Sequence, residues 1–301
     1  MRFFSLFFGP KRNHKPLKLI MTLLVKNEEN ILEENLVFHK SMGVDGFVVT
    51  DNSSTDRTRE ILDKYKRKGW ILEIIDEPGQ DHSQVLWVNR MITTAKDIYK
   101  ADWVINCDAD EFWYAKSGNL KTSIYATRAN VLKCFWRNMV PTPGNTKFWQ
   151  NILAVEKPPE AGHNYDLSKW NLYDFTYPKV MHSVDGFKSI SFGNHSVEMV
   201  KKKKKKIKDV VIYHFSVQNY EKFESKVVAG GEALGRNKNL DKRDVVHWRY
   251  WYECYKNGCL KEEYEKIIGA NYIDEFLDKQ VLVYDKNIYN YFLNIEGKNI
   301  K

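Results

Sequence analysis

The chain has 301 residues, 43% of them hydrophobic, enough for one large core or two modest ones. Its formal net charge is +8, but Lys201 to Lys206 supply six of those charges and leave +2 for the remainder, so no basic face interleaved with aromatics offers itself to nucleic acid. No apolar run reaches the roughly 18 residues that span a bilayer, and Cys107, Cys134, Cys254 and Cys259 make neither a CxxC pair nor a disulfide framework, which fits a reducing compartment.

The opening "MRFFSLFFGPKR" puts Phe3, Phe4, Leu6, Phe7 and Phe8 before Lys11, Arg12 and Lys15. It reads either as a loosely packed terminus or as an interfacial anchor, so residues 1–16 form a basic, aromatic segment of their own. From Leu17, "LKLIMTLLV" predicts a buried strand. Residues 28–41 place Ile31, Leu32, Asn35, Leu36 and His39 on one helical face. "GFVVT" (46–50) is a second strand, and "DNSSTDRT" offers Ser and Thr caps for a helix through about Lys68. "WILEII" (70–75) is a third strand. Val85, Val88, Ile92, Ala95 and Tyr99 have helical spacing, and "DWVINC" (102–107) is a fourth strand. Alternating strands and helices imply parallel strands with crossover helices, an α/β fold whose ligands bind at the carboxyl ends of the strands. Three polar clusters fall there: Lys26 to Glu28, Asp51 to Asp56, and Asp108 to Glu111.

Beyond residue 115 the pattern loosens. "NVLKCFWRNMV" (130–140) predicts a strand, Pro141 to about Pro178 shows no period, and short β-like runs surround Val180, Ile190 and Val197. The lysine run reads as a solvated loop or as a patch attracted to an anionic membrane. "VVIYHFSV" (210–217) predicts a strand, and the sequence from Asn219 onward is mostly helical, broken near Gly230-Gly231, Gly235 and Gly258. The expected domains are residues 17–220 as the α/β unit and 221–301 as a helical extension. Sequons at Asn52 and Asn194 lie in segments that would be blocked by a glycan, which argues against a secretory lumen.

The stretch "INCDADEFW" (105–113) ends a buried strand on Asp108, Asp110 and Glu111, like charges that repel unless a cation sits among them. Side chains two residues apart on a strand point the same way, so Asp108 and Asp110 can share a hard divalent ion, Mg²⁺ or Mn²⁺. Such an ion would also bind a diphosphate leaving group.

In "VKNEENILEENLVFHKSMGVDGFVVTDNSSTDRT" and "DWVINCDADEFW", with weaker support from "PKVMH", "GNH" and "IYHFS", the chain resembles the family-2 nucleotide-sugar glycosyltransferases of GT-A fold. The match is closest to their NEE/DADEF subgroup, which is related to the family-92 glycosyltransferases. The resemblance covers about residues 17–230. It implies a Rossmann-like sheet and transfer of one sugar, with inversion, from a nucleotide-sugar to a glycan or lipid-linked acceptor of the cell-surface polysaccharide or lipopolysaccharide type. By position, it implies Val25 and Asn27 beside the nucleotide base, Asp51 on the base or ribose, Asp108 facing the ribose or donor sugar, Asp110 as the main metal ligand and His214 as a further one. Glu111 and Phe112 read either as direct contacts or as a supporting carboxylate and a packing aromatic.

Other residues stay open. Arg90, with Gln84 on the same helix, suits a phosphate or an ordinary salt bridge. His39 reads as a buried, hydrogen-bonded histidine, and His182 and His195 as pocket-lining or structural. An inverting transfer needs a base for the acceptor hydroxyl, and Glu156, Glu160, Asp166 and Asp174 are all candidates. Competing readings are a nucleotidyltransferase acting on sugar phosphates, disfavoured because "VKNEEN" has no glycine for a phosphate loop, and a catalytically silent nucleotide-sugar-binding protein. The expected location is the cytoplasm, with peripheral contact to the inner face of a membrane.

Overall fold

The structure, a computed structural model, describes residues 16–79, 83–174, 176–236 and 246–299. The aromatic start from Phe3 to Phe8 lies outside them. The first half alternates as the sequence predicts: β1 (Leu19–Val25), α1 (Leu32–Ser41), β2 (Gly46–Asp51), α2 (Thr58–Arg67), β3 (Ile71–Asp76), α3 (Gln84–Asp97) and β4 (Trp103–Asp108). These four strands are parallel, in the order β4-β1-β2-β3. Both faces of the sheet are covered, which explains the unbroken apolar runs. Met21 and Leu23 pack with Phe47, Leu36 and Leu62 on one face, whereas Ile20, Val48 and Val104 pack with Val88, Met91 and Ile92 of α3 on the other.

Helix α1 starts at Leu32 rather than at residue 28. The Glu28 and Glu29 N–H groups are instead taken by Thr58 Oγ1 (2.8 Å) and Asp56 Oδ2 (3.1 Å), so residues 28–31 form a turn that ties the first strand's end to the second's.

Next come β5 (Glu111–Ala115), α4 (Leu120–Tyr125), β6 (Val131–Val140), β7 (Leu153–Val155) and β8 (Lys179–Ser183). The hairpin of β9 (Phe187–Ile190) and β10 (Val197–Met199) leads to β11 (Lys204–His214). Strand β8 lies antiparallel between β4 and β6, and β11 pairs with β6 and β5. Among the described residues this makes one sheet of ten strands. Strand β11 begins earlier than expected. Lys204 to Lys206 are not loop but pair with Val131 to Lys133 of β6, their side chains exposed.

The remainder is α5 (Tyr220–Arg236), α6 (Val246–Lys256), α7 (Leu260–Ile268), α8 (Ile273–Asp278), β12 (Leu282–Tyr284) and α9 (Asn287–Asn299). Gly230 and Gly231 do not break α5. A Cβ on Gly231 would stand 2.1 Å from the Tyr252 ring, so the missing side chains let α6 pack against α5. Strand β12 joins the sheet beside β7, and Ile288 and Phe292 of α9 pack into the core that holds β1. Among the described residues no helix is long and apolar enough to cross a membrane. Both sequon asparagines are buried, and Asn52 Nδ2 donates to the carbonyls of Glu77 and Gly79.

Two core histidines carry a pH dependence. His39 Nε2 accepts the Trp113 N–H at 3.0 Å, which leaves Nδ1–H to donate to Asn35 at 2.9 Å. His182 Nδ1 contacts the Ser183 carbonyl at 2.9 Å. Burial pushes His39 down to about 3 and His182 to about 4, from an ordinary 6.5. Above pH 6.5 neither folded nor unfolded state is charged there; below it only the unfolded state takes up the proton. Stability therefore falls as pH drops from 6.5 toward 4, by about 1.4 kcal/mol per pH unit for each histidine. Urea unfolding at pH 7, 6 and 5 checks this. His39→Gln should flatten the dependence by one histidine's share, and an unchanged slope would contradict it.

Candidate active site

The site forms where β1, β2, β4, β6 and β11 end. Two loops are stitched together first. Asn27, left-handed at φ 56, donates its N–H to Ser54 Oγ (3.0 Å), and its Oδ1 accepts the Thr55 N–H (2.7 Å). Asp51 is buried, lies beside Val25 in register, and its Oδ1 accepts the Ser54 N–H at 3.0 Å. Val25, Asn27 and Asp51 therefore line one fixed ledge.

The acidic turn is braced from behind. Asn35 Nδ2 of α1 donates to the carbonyls of Ala109 (2.9 Å) and Glu111 (3.0 Å), and His39 one turn later holds both Asn35 and Trp113. Two cations answer the repulsion among the acids. Lys179, at the start of β8 and only 2% exposed, reaches Asp108 Oδ2 at 2.6 Å and pairs with the fully buried Glu111. Burial opposes the ammonium charge, but the two carboxylates outweigh it and hold Lys179 above the ordinary lysine range. Burial pushes Glu111 up to about 7, against the pull of Lys179. The Trp136 indole lies under the Lys179 ammonium, 5.2 Å from ring centre to Nζ. Lys226, on α5, is the second cation. Its Nζ stands 3.2 Å from Glu28 and 3.7 Å from Asp110.

Asp110 and His214 converge. The His214 Nε2 lies 3.5 Å from Asp110 Oδ1, with both side chains about one-sixth exposed, at 15% and 16%. Burial works against the Asp110 charge, yet His214, when its ring is protonated, and Lys226 hold its carboxyl well below the usual carboxylate range. The His214 ring stacks on Trp136 at 4.5 Å and 10°. Its Nδ1 meets Asn138 Oδ1 at 2.9 Å, and Asn138 Nδ2 donates to the Leu172 carbonyl at 2.7 Å, which sets the amide's orientation. Nδ1 of the neutral ring therefore carries the proton, and the Nε2 lone pair is turned toward a carboxylate. Two electron-rich groups aimed at each other, with the imidazole fixed by a carbonyl oxygen, are a donor set that suits a divalent cation. Among the described residues no group of three or more His, Cys, Asp or Glu side chains is placed to hold a metal ion. Asp108 is turned to Lys179, so Asp110 and His214 are the pair the fold offers.

The other candidates are spread more widely. Arg90 pairs with Glu77 at 2.7 Å, and Gln84 accepts the Gly193 N–H at 3.4 Å. Glu156 pairs with Arg137 at 2.5 Å, Asp166 with Lys266 at 2.9 Å, and Glu160 is exposed. Asp174 is also exposed, but partial burial raises its carboxyl. His195 stands edge-on to Trp136 at 5.9 Å, and burial with the nearby Lys179 holds its ring below the usual histidine range. Phe112 packs in the core against Phe38 and Phe215. Lys179, Lys226 and Asn138 escaped the reading of the sequence. Only Lys179 left a trace there, as a lone charge opening the apolar run "KVM".

The model of glycosyltransferase family 92 matches residues 21–250, more than half of the chain and every residue of the acidic site. The chain belongs to glycosyltransferase family 92. Of the two families the motifs resemble, this is the one named as the relative of the NEE/DADEF subgroup. A glycosyltransferase family 92 chain is a sugar-transferring enzyme, and its α/β fold with C-terminal helices is the one expected. No curated protein sequence matches it. Among solved structures it is similar to residues 1–349 of S. aureus TarS in complex with UDP, at 13% identity over 88% of this chain and 77% of that one, with a TM-score of 0.41. It is also similar to the mannosyltransferase PcManGT from Pyrobaculum calidifontis in complex with GDP-Man and Mn²⁺, at 15% identity over 87% and 77%, with a TM-score of 0.44.

Proposed function

We propose that this family-92 enzyme moves one sugar, with inversion, from a nucleotide-sugar donor to a glycan or lipid-linked acceptor, and that Mn²⁺ or Mg²⁺ is held by Asp110 and His214. The observation that carries the reading is His214 Nε2 turned on the Asp110 carboxylate at 3.5 Å, beside the stitched ledge of Val25, Asn27 and Asp51. The ledge binds the nucleoside, with Asp51 accepting from the base or ribose. A bound divalent cation supplies charge stabilisation for the departing diphosphate. Lys226 adds a second positive charge on the same side, since its Nζ reaches Asp110 across from Glu28. Asn138 selects the tautomer of the neutral His214 ring in which Nδ1 carries the proton. Lys179 keeps Asp108 pointed along the strand end, toward the donor sugar.

Of the four possible bases, we favour Asp174. Partial burial raises its carboxyl, which favours its taking up a proton.

A thermal-shift panel tests the donor and the metal together. UDP or GDP with Mn²⁺ should raise the melting temperature more than nucleotide alone, and His214→Ala should lose most of the Mn²⁺-dependent increment. A preference for nucleoside triphosphates would point to nucleotidyl transfer instead, and an increment unaffected by His214→Ala would remove that residue from the metal site.

A further inference from the structure

The acidic site does not account for the cavity on β6. It has a volume of about 430 Å³ and opens beside Phe135, Arg137 and Val211. Phe135 and Arg137 alternate along the strand with Trp136 and Asn138, which hold His214 and also border the cavity. The floor is apolar. Ile207 and Val210 close it, and Phe135, a large aromatic, stays 38% exposed within it. The rim is cationic. Lys116, Lys157 and Lys208 line the cavity with Glu156 and Asp174; the three lysines are exposed and among the described residues none of them is in an ion pair, so they outnumber the acids, of which Glu156 is taken by Arg137. Arg137 does not add to this surplus, because Glu156 and Asp285 both engage it. The lysine run continues the rim along the same strand, and Lys206 Nζ lies over the Phe135 ring at 5.7 Å.

An apolar, aromatic floor under unpaired ammonium groups matches an amphiphile with a phosphate head. We infer that this cavity receives the headgroup of an anionic phospholipid and that, with Lys201 to Lys206 around it, it seats the enzyme on a negatively charged membrane surface. The head pairs with Lys116, Lys157 and Lys208, and the first carbons of the chains lie on Phe135. The inference uses none of the residues assigned to the donor or the metal, although the cavity wall also carries Asp174 and Glu156, two of the candidate bases, so the lipid site borders the transfer site.

Flotation of the full chain with vesicles tests it. Phosphatidylcholine vesicles containing phosphatidylglycerol should carry the protein at low salt, and pure phosphatidylcholine should not. Replacing Lys116, Lys157 and Lys208 together by Gln should lower partitioning by about two orders of magnitude. Phe135→Ser should lower it with the charges intact. These side chains are all partly or fully exposed, and an unchanged circular dichroism spectrum and melting temperature would certify the fold. Replacing Lys201, Lys202 and Lys203 by Gln, outside the cavity, should cost less than the cavity triple. The cavity is the wrong locus if the triple variant floats like the wild type, or if the outer-lysine variant loses more. Equal partitioning to neutral vesicles would overturn the anionic head, and displacement from vesicles by millimolar inorganic phosphate would make the site one for free phosphate and overturn the lipid.

Discussion

Asp110→Asn should reduce sugar transfer by about a thousandfold and leave the fold intact. Asparagine keeps the shape of the side chain, and the Asp110 carbonyl still accepts the Phe215 N–H at 2.8 Å. What goes is the negative charge between His214 Nε2 and Lys226 Nζ, at 3.5 and 3.7 Å. Lys226 retains Glu28 at 3.2 Å, so it is not stranded. The melting temperature without ligand should hardly move, while the increment produced by Mn²⁺ with UDP or GDP should vanish. Near-wild-type turnover by this variant in EDTA-treated buffer with no added metal would end the assignment of Asp110.

Lys179→Met should have the largest effect on stability, a loss of about 3–5 kcal/mol. The ammonium is 2% exposed, and its partner Glu111 is fully buried. Removing the cation takes the countercharge from Glu111, whose carboxyl burial already pushes up to about 7, and leaves a buried acid to be protonated or stay unpaired beside Asp108, at the turn that also carries Asp110. Urea unfolding at pH 7 measures the loss. Adding Glu111→Leu to Lys179→Met should recover part of it, because two apolar groups replace the pair and nothing charged is left buried. A single variant within about 1 kcal/mol of the wild type would show that Glu111 finds its stabilisation elsewhere. Transfer by the double variant should stay low, since Asp108 has still lost the contact that aims it.

The first four strands were legible because their signal is local. Each is a mostly apolar stretch of six or seven residues, and α3 repeats Val88, Ile92 and Ala95 at helical spacing. Strand β11 was legible only in part. "VVIYH" has a strand's pattern, but "KKK" before it does not, and those lysines are extended because β6 supplies the hydrogen bonds. The same limit applies at Gly230-Gly231, which read as a break and is a continuous helix because Trp248 and Tyr252 of α6 fill the space.

By itself the sequence determined the α/β alternation, the family, and the acids that end the second and fourth strands, all of which are local patterns of period and spacing. Only the tertiary structure decided which cations face those acids. Lys179 lies 71 residues from Asp108, on a strand that enters the sheet antiparallel between β4 and β6, and Lys226 comes from a helix after the last long strand. His214 could be guessed at a strand end, but its tautomer depends on Asn138, 76 residues away, and on the Leu172 carbonyl that orients that amide. A carboxylate announces its need for a countercharge wherever it stands in the chain. Which group meets that need depends on distance and direction in space, and those exist only once strands far apart in sequence have been laid side by side.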